Sequence, residues 1–90
     1  MNYYYKVNNY GNNVISIVLI DSDDGEEINY IIMCWDITKR WTSYNKSELS
    51  WRDFKEIDEG TYHKIRLFPL KKNTTKVDLY IYLNMEEMLI

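Results

Sequence analysis

"VISIVLI", residues 14–20, is apolar at every position except Ser16, and its reading decides the fold. Seven residues are far fewer than the ~20 that a membrane-spanning helix needs. Val14, Ile15, Ile17, Val18 and Ile20 are β-branched, the composition of a strand. In a strand, alternate residues point to opposite faces. Val14, Val18 and Ile20 share one face, and Ile15, Ile17 and Leu19 share the other. "INYIIMCW", residues 28–35, repeats the pattern, with Ile28, Ile32 and Cys34 set against Ile31, Met33 and Trp35. Strands that are apolar on both parities must be covered on both faces, so both segments are expected inside a sheet.

Working outward, "YYYKV" (3–7) reads as a preceding strand and "NNYGNN" (8–13) as the turn after it. "DSDDGEE" (21–27) joins the two inner strands as a hairpin turn with Asp24-Gly25 at its tip. "DITKRWTSY" (36–44) fits a short strand or an irregular connection. In "KSELSWRDFKEIDEG" (46–60), Leu49, Phe54 and Ile57 form an apolar stripe that Trp51 can join. Ser47 stands where a cap is needed and Gly60 where a helix stops, so a helix is expected at about 47–58. "TYHKIRLF" (61–68) alternates and ends before Pro69, which suggests a fourth strand. "LKKNTT" (70–75) turns the chain. "KVDLYIYL" (76–83) then reads as a fifth strand, with Val77, Leu79, Ile81 and Leu83 inward and Asp78, Tyr80 and Tyr82 outward. One further helical turn, capped by Asn84, is expected in "NMEEMLI".

These elements predict a single α+β domain over residues 1–90. It holds a five-stranded, mainly antiparallel sheet or small barrel in the order β-β-β-α-β-β. One helix covers one sheet face. The second apolar face is then closed either by curling into a barrel or by another chain, which admits a homo-oligomer. The order of three strands, a helix and two strands resembles that of the OB-fold. That resemblance implies oligonucleotide binding through the middle strands and two loops.

Cys34 is the only cysteine, so no internal disulfide can form, and a reducing, cytoplasmic setting is expected. The N-terminus carries no basic region followed by an apolar stretch, so neither a signal peptide nor membrane attachment is expected. Ala and Gln are absent, while Asn, Lys, Ile and Tyr abound. Their A/T-rich codons point to an AT-rich bacterium or one of its phages, where short accessory proteins are common.

The net charge of −3 is unevenly spread. Asp21, Asp23, Asp24, Glu26 and Glu27 crowd one hairpin, whereas Lys64, Arg66, Lys71, Lys72 and Lys76 face only Asp78 over residues 61–84. The acidic hairpin fails as an EF-hand loop. Counting from Asp21, Gly25 falls at position 5 and Ile32 at position 12, where such a loop needs Gly at 6 and Glu at 12. No metal and no cofactor are expected. His63 could pair with Cys34 as base and nucleophile, but Cys34 sits among Ile and Met with no cation nearby in sequence to lower its pKa. No catalytic residue is assigned, and enzyme activity is not expected.

The aromatic load suggests binding. If strands 61–68 and 76–83 pair with their apolar parities aligned, Arg66 faces Tyr80 and Lys64 faces Tyr82. With Tyr62 they would form a flat amphipathic patch. One of Trp41 and Trp51 is expected to be an exposed anchor, with Trp41 assigned to the patch, since Trp, Tyr and Arg dominate interface hot spots. The expected function is therefore a small non-enzymatic protein-binding module, such as a phage or mobile-element accessory or inhibitor that occludes a protein partner. The alternative is a single-stranded nucleic-acid binder that stacks bases on the Tyr/Lys/Arg face. The acidic net charge favours the protein partner.

Overall fold

The computed structural model describes residues 1–23 and 25–84; Asp24 and the turn expected beyond Asn84 lie outside the described residues. The elements are β1 (Asn2–Tyr10), β2 (Asn13–Ser22), β3 (Glu27–Cys34), β4 (Thr38–Asn45), β5 (Lys55–Ile57), α1 (Glu59–Arg66) and α2 (Lys76–Leu83). All five strands join one antiparallel sheet in the spatial order β4-β3-β2-β1-β5. The expected α+β class and five-stranded antiparallel sheet are present. The sheet stays open, with β4 and β5 as its edges.

The inner strands lie where the two-sided apolar pattern put them, except that Val14, expected with Val18 and Ile20, joins Ile17 and Leu19 in the helix-side core because the β1–β2 register shifts there. Ile17 and Leu19 pair with Met33 and Ile31 and turn to the helix-bearing face, where Tyr62, Ile65, Phe68, Leu70 and Leu79 pack on them. Full burial of an Ile or Leu contributes about 1.5–3 kcal/mol, and Ile17, Leu19 and Ile65 are all fully buried. Gly11, in the two-residue turn between β1 and β2, holds φ at 58°, a conformation that a residue with a Cβ resists. The β1–β2 register shifts between Asn8 and Asn9, so that Ile15 is an unpaired extra residue and points to solvent.

The far face carries Val18, Ile20 and Ile28, all buried. Barrel closure does not cover them. Leu49, Trp51 and Phe54 do so, on the segment that runs under the sheet from β4 to β5. That segment is not the expected helix at 47–58. It forms 3-10 turns at Lys46–Glu48 and Trp51–Asp53 with extended residues between and after them. The reason is reach. β4 and β5 lie on opposite sheet edges, four strand spacings or about 19 Å apart. The ten steps from Asn45 to Lys55 would rise only about 15 Å as an α-helix. Tertiary distance overrides the apolar stripe.

Residues 61–68 and 76–83, expected as strands, lie in helices. The Asp58 side chain caps α1 by accepting from the Thr61 N–H at 2.7 Å, so Gly60 sits in the first turn rather than at a stop. Tyr62 and Ile65, three apart, are buried, whereas Leu67 is 79% exposed, as a helix requires and a strand of that parity does not. Pro69 follows the end of α1. In α2, Thr75 and Asp78 form a reciprocal capping box, and Leu79, Tyr82 and Leu83 face the core at helical spacing.

Candidate functional site

The cross-strand patch does not assemble, because its residues sit on helices and point different ways. Tyr62 is 2% exposed and packs on the Tyr3 ring at 4.7 Å between centroids. Its hydroxyl donates to Asp21 Oδ2 at 2.9 Å. Burial first, then that hydrogen bond and the Asp21 charge, push the Tyr62 phenol up to about 12. Tyr82 is half-buried against Phe68, and its hydroxyl donates to the Lys64 carbonyl at 2.7 Å. Lys64 Nζ in turn donates to the Leu83 carbonyl at 3.2 Å, so Lys64 and Tyr82 pin α1 to α2. Arg66 is exposed at the rim of a 110 Å³ polar niche that also includes Asp21, Asn29, Arg40 and Tyr62. Trp41 lies on edge strand β4, 41% exposed, edge-on to Tyr30. Trp35, beside the apolar third strand, is likewise exposed. Only Tyr80 projects from α2 over a groove.

In the acidic hairpin, Asp21 is half-buried and accepts from both Asn29 and Tyr62. Asp23, Glu26 and Glu27 are exposed around an open 500 Å³ hollow. Among the described residues no three His, Cys, Asp or Glu side chains converge as a metal site would require. Cys34 pairs with Ser16 on the far face, while His63 is on α1, so the sheet separates them.

The groove under Tyr80 is built by topology. β5 pairs with β1 only over Tyr3–Tyr5, so from Lys6 to Tyr10 the outer edge of β1 has no strand beside it among the described residues. One wall is α2, through Lys76 and Tyr80. The other is the crossing segment, through Arg52, Asp53 and Phe54, with Lys55 at the end where β5 begins. The groove holds about 350 Å³. Beside it, Tyr5, Val7, Leu79, Tyr80 and Leu83 line a 50 Å³ slot with Lys76 at its mouth. The α2 wall is firmly seated. The Lys76 N–H donates to the Asn12 carbonyl at 2.9 Å, and the Val14 N–H to the Thr74 carbonyl at 2.8 Å.

Four cations, Lys6, Arg52, Lys55 and Lys76, border this edge against the single acid Asp53. None of the four forms an ion pair with a described carboxylate. Lys6 Nζ instead sits 5.0 Å from the Phe54 ring centroid. These cations come from three separate stretches of sequence, with only Arg52 and Lys55 close together, so the strand order is what reveals the site. Among the described residues no helix is long and apolar enough to cross a membrane. Comparison with protein families, with curated proteins and with solved structures finds no match to this chain.

Proposed function

We propose that this protein is a non-enzymatic protein-binding module that takes an extended segment of a partner as an added strand on β1. The carrying observation is the edge from Lys6 to Tyr10, unpaired among the described residues yet walled on both sides. An open strand edge offers backbone donors and acceptors that an incoming strand satisfies, and the walls fix which side chains may accompany it. A segment held this way is hidden from its other partners, which gives so small a chain a route to inhibition, as an accessory protein of a phage or mobile element would use it. The lone, partly exposed thiol of Cys34 suits a reducing, cytoplasmic compartment.

Backbone recognition has a specific signature. Peptides selected on the immobilised protein should lose affinity at least tenfold when amides of one parity are N-methylated, and should tolerate methylation at the other parity. Equal tolerance at both parities would rule out strand addition.

The groove also supports a second reading, because its cations and the rings of Tyr5, Phe54 and Tyr80 are the components of a single-strand nucleic-acid channel. Such binding falls log-linearly with salt and ignores peptide backbone methylation.

A further inference from the structure

We infer that the segment taken by the β1 edge is acidic, with a small aliphatic residue at its centre; the inference rests on strand addition at that edge. The two faces of the sheet prescribe the pattern. In an added strand, side chains of one parity turn to the helix-bearing face and meet Tyr5, Val7 and α2, where the 50 Å³ slot admits a small aliphatic group such as that of Val. Flanking residues of that parity meet Lys76 and Lys55. Side chains of the other parity turn to the far face and meet Lys6 and Arg52. Carboxylates therefore find cations on both walls, while a lysine would find Asp53 alone.

Charge placement on the whole molecule agrees. The exposed acids Asp23, Glu26 and Glu27 sit by the β2–β3 turn, next to the start of β1, whereas the groove follows the end of β1. The chain is acidic overall, so four cations along this one edge run against its net charge of −3.

Two other occupants fit less well. A second copy could offer its acidic hairpin, but β2 and β3 are inner strands with both edges already paired, and Asp21 is held by Tyr62 and Asn29. Such a hairpin has no free edge to add. A nucleic-acid strand would satisfy the cations, but its phosphates only accept hydrogen bonds. Its backbone, unlike that of a peptide strand, brings no regularly spaced N–H donors to the carbonyls of the β1 edge.

The test is fluorescence anisotropy of the full chain with three labelled octapeptides that carry one central Val among Glu, Thr or Lys residues (Glu/Val, Thr/Val and Lys/Val), and with an oligo-dT of similar length. The Glu/Val peptide should bind at least tenfold tighter than Thr/Val, and the margin should shrink as salt is raised from 50 to 500 mM. In a Lys6→Glu/Lys76→Glu protein, checked for folding by its melting curve, the order of Glu/Val and Lys/Val should invert. An Arg52→Glu/Lys55→Glu protein gives a second reading should the first variant not fold. If the three peptides bind equally and alternate N-methylation still matters, acidic selectivity is overturned while strand addition stands. If Glu/Val binds but methylation parity has no effect, strand addition itself fails. Tighter binding of oligo-dT, concentration-dependent self-assembly that displaces the peptide, or no binding by any peptide overturns both.

Discussion

The phenol of Tyr62 on α1 donates to Oδ2 of Asp21 on β2 across 2.9 Å, joining residues 41 apart in sequence. The bond fixes the first turn of α1 against the sheet and gives one oxygen of a half-buried carboxylate its partner. Tyr62→Phe keeps the ring packing on Tyr3 and removes only the donor. A cost of about 1.5–3 kcal/mol is expected in urea unfolding, the usual range for a hydrogen bond to a charged group. The pH dependence follows from the raised phenol, at about 12 in the folded chain against 10.0 ordinarily. Below pH 10 both states hold the proton and the contribution is fully present. Above it the unfolded chain ionises first, so stability falls until the folded phenol also ionises near pH 12. Tyr62→Phe should make this alkaline fall shallower.

The helix caps set the acid limit. Hydrogen bonds from Thr61, its backbone N–H foremost, hold the Asp58 carboxyl below its ordinary 3.8, and those from Thr75 do the same for Asp78. A depressed carboxylate contributes stability that is present above the unfolded value and is lost as pH falls through the lower folded one. Melting temperature should therefore drop below pH 4, and less steeply in an Asp58→Asn/Asp78→Asn protein. Thr75→Ala, which removes the other half of the capping box, should cost about 1 kcal/mol.

The sheet was legible because its inner strands are apolar on both parities, a pattern that an amphipathic helix does not share. Residues 61–68 and 76–83 were not legible as helices, because over eight residues Tyr62/Ile65 and Leu79/Tyr82/Leu83 satisfy period 3.6 while Ile65/Leu67 and Leu79/Ile81 satisfy period 2. The deciding signals were short: Asp58 before Thr61, and Thr75 before Asp78. Leu49 and Phe54 were read as an apolar face that Trp51 could join, and all three are partly buried against the far-face core, but their conformation depends on how far apart β4 and β5 lie, which no local pattern carries. Of the residues expected at a binding patch, Tyr80 alone lines the groove, since the other groove residues become neighbours only through the strand order.

The cover on the far face should be separable from the rest. Trp51 packs edge-on to Tyr4 at 4.9 Å, and its Nε1 donates to the Lys46 carbonyl at 3.3 Å. Trp51→Ala should cost about 3 kcal/mol and open a path to Val18 and Ile20. Binding of a hydrophobic dye, weak in the parent, should then rise, and light scattering should show association with increasing concentration. A variant that loses stability without binding dye would mean that Leu49 and Phe54 close the gap unaided.

Tyr80 and Tyr82 distinguish helix from strand in one comparison. Two residues apart, they would share a face in a strand, and substitution by Thr would affect both similarly. In α2 they lie about 200° apart around the axis. Tyr82 packs on Phe68 and donates to the Lys64 carbonyl, whereas Tyr80 is 59% exposed over the groove. Tyr82→Thr should cost about 3 kcal/mol, from lost ring burial and from the joint between α1 and α2. Tyr80→Thr should cost only about 0.5 kcal/mol, the scale of a helix-propensity difference. Its effect should appear in binding instead, since the slot beside the groove loses a wall. Weaker binding of the peptide selected on the parent protein, at nearly unchanged stability, is the expected result. Equal stability losses at the two positions would contradict the helical placement of α2, and with it the wall on which the groove depends.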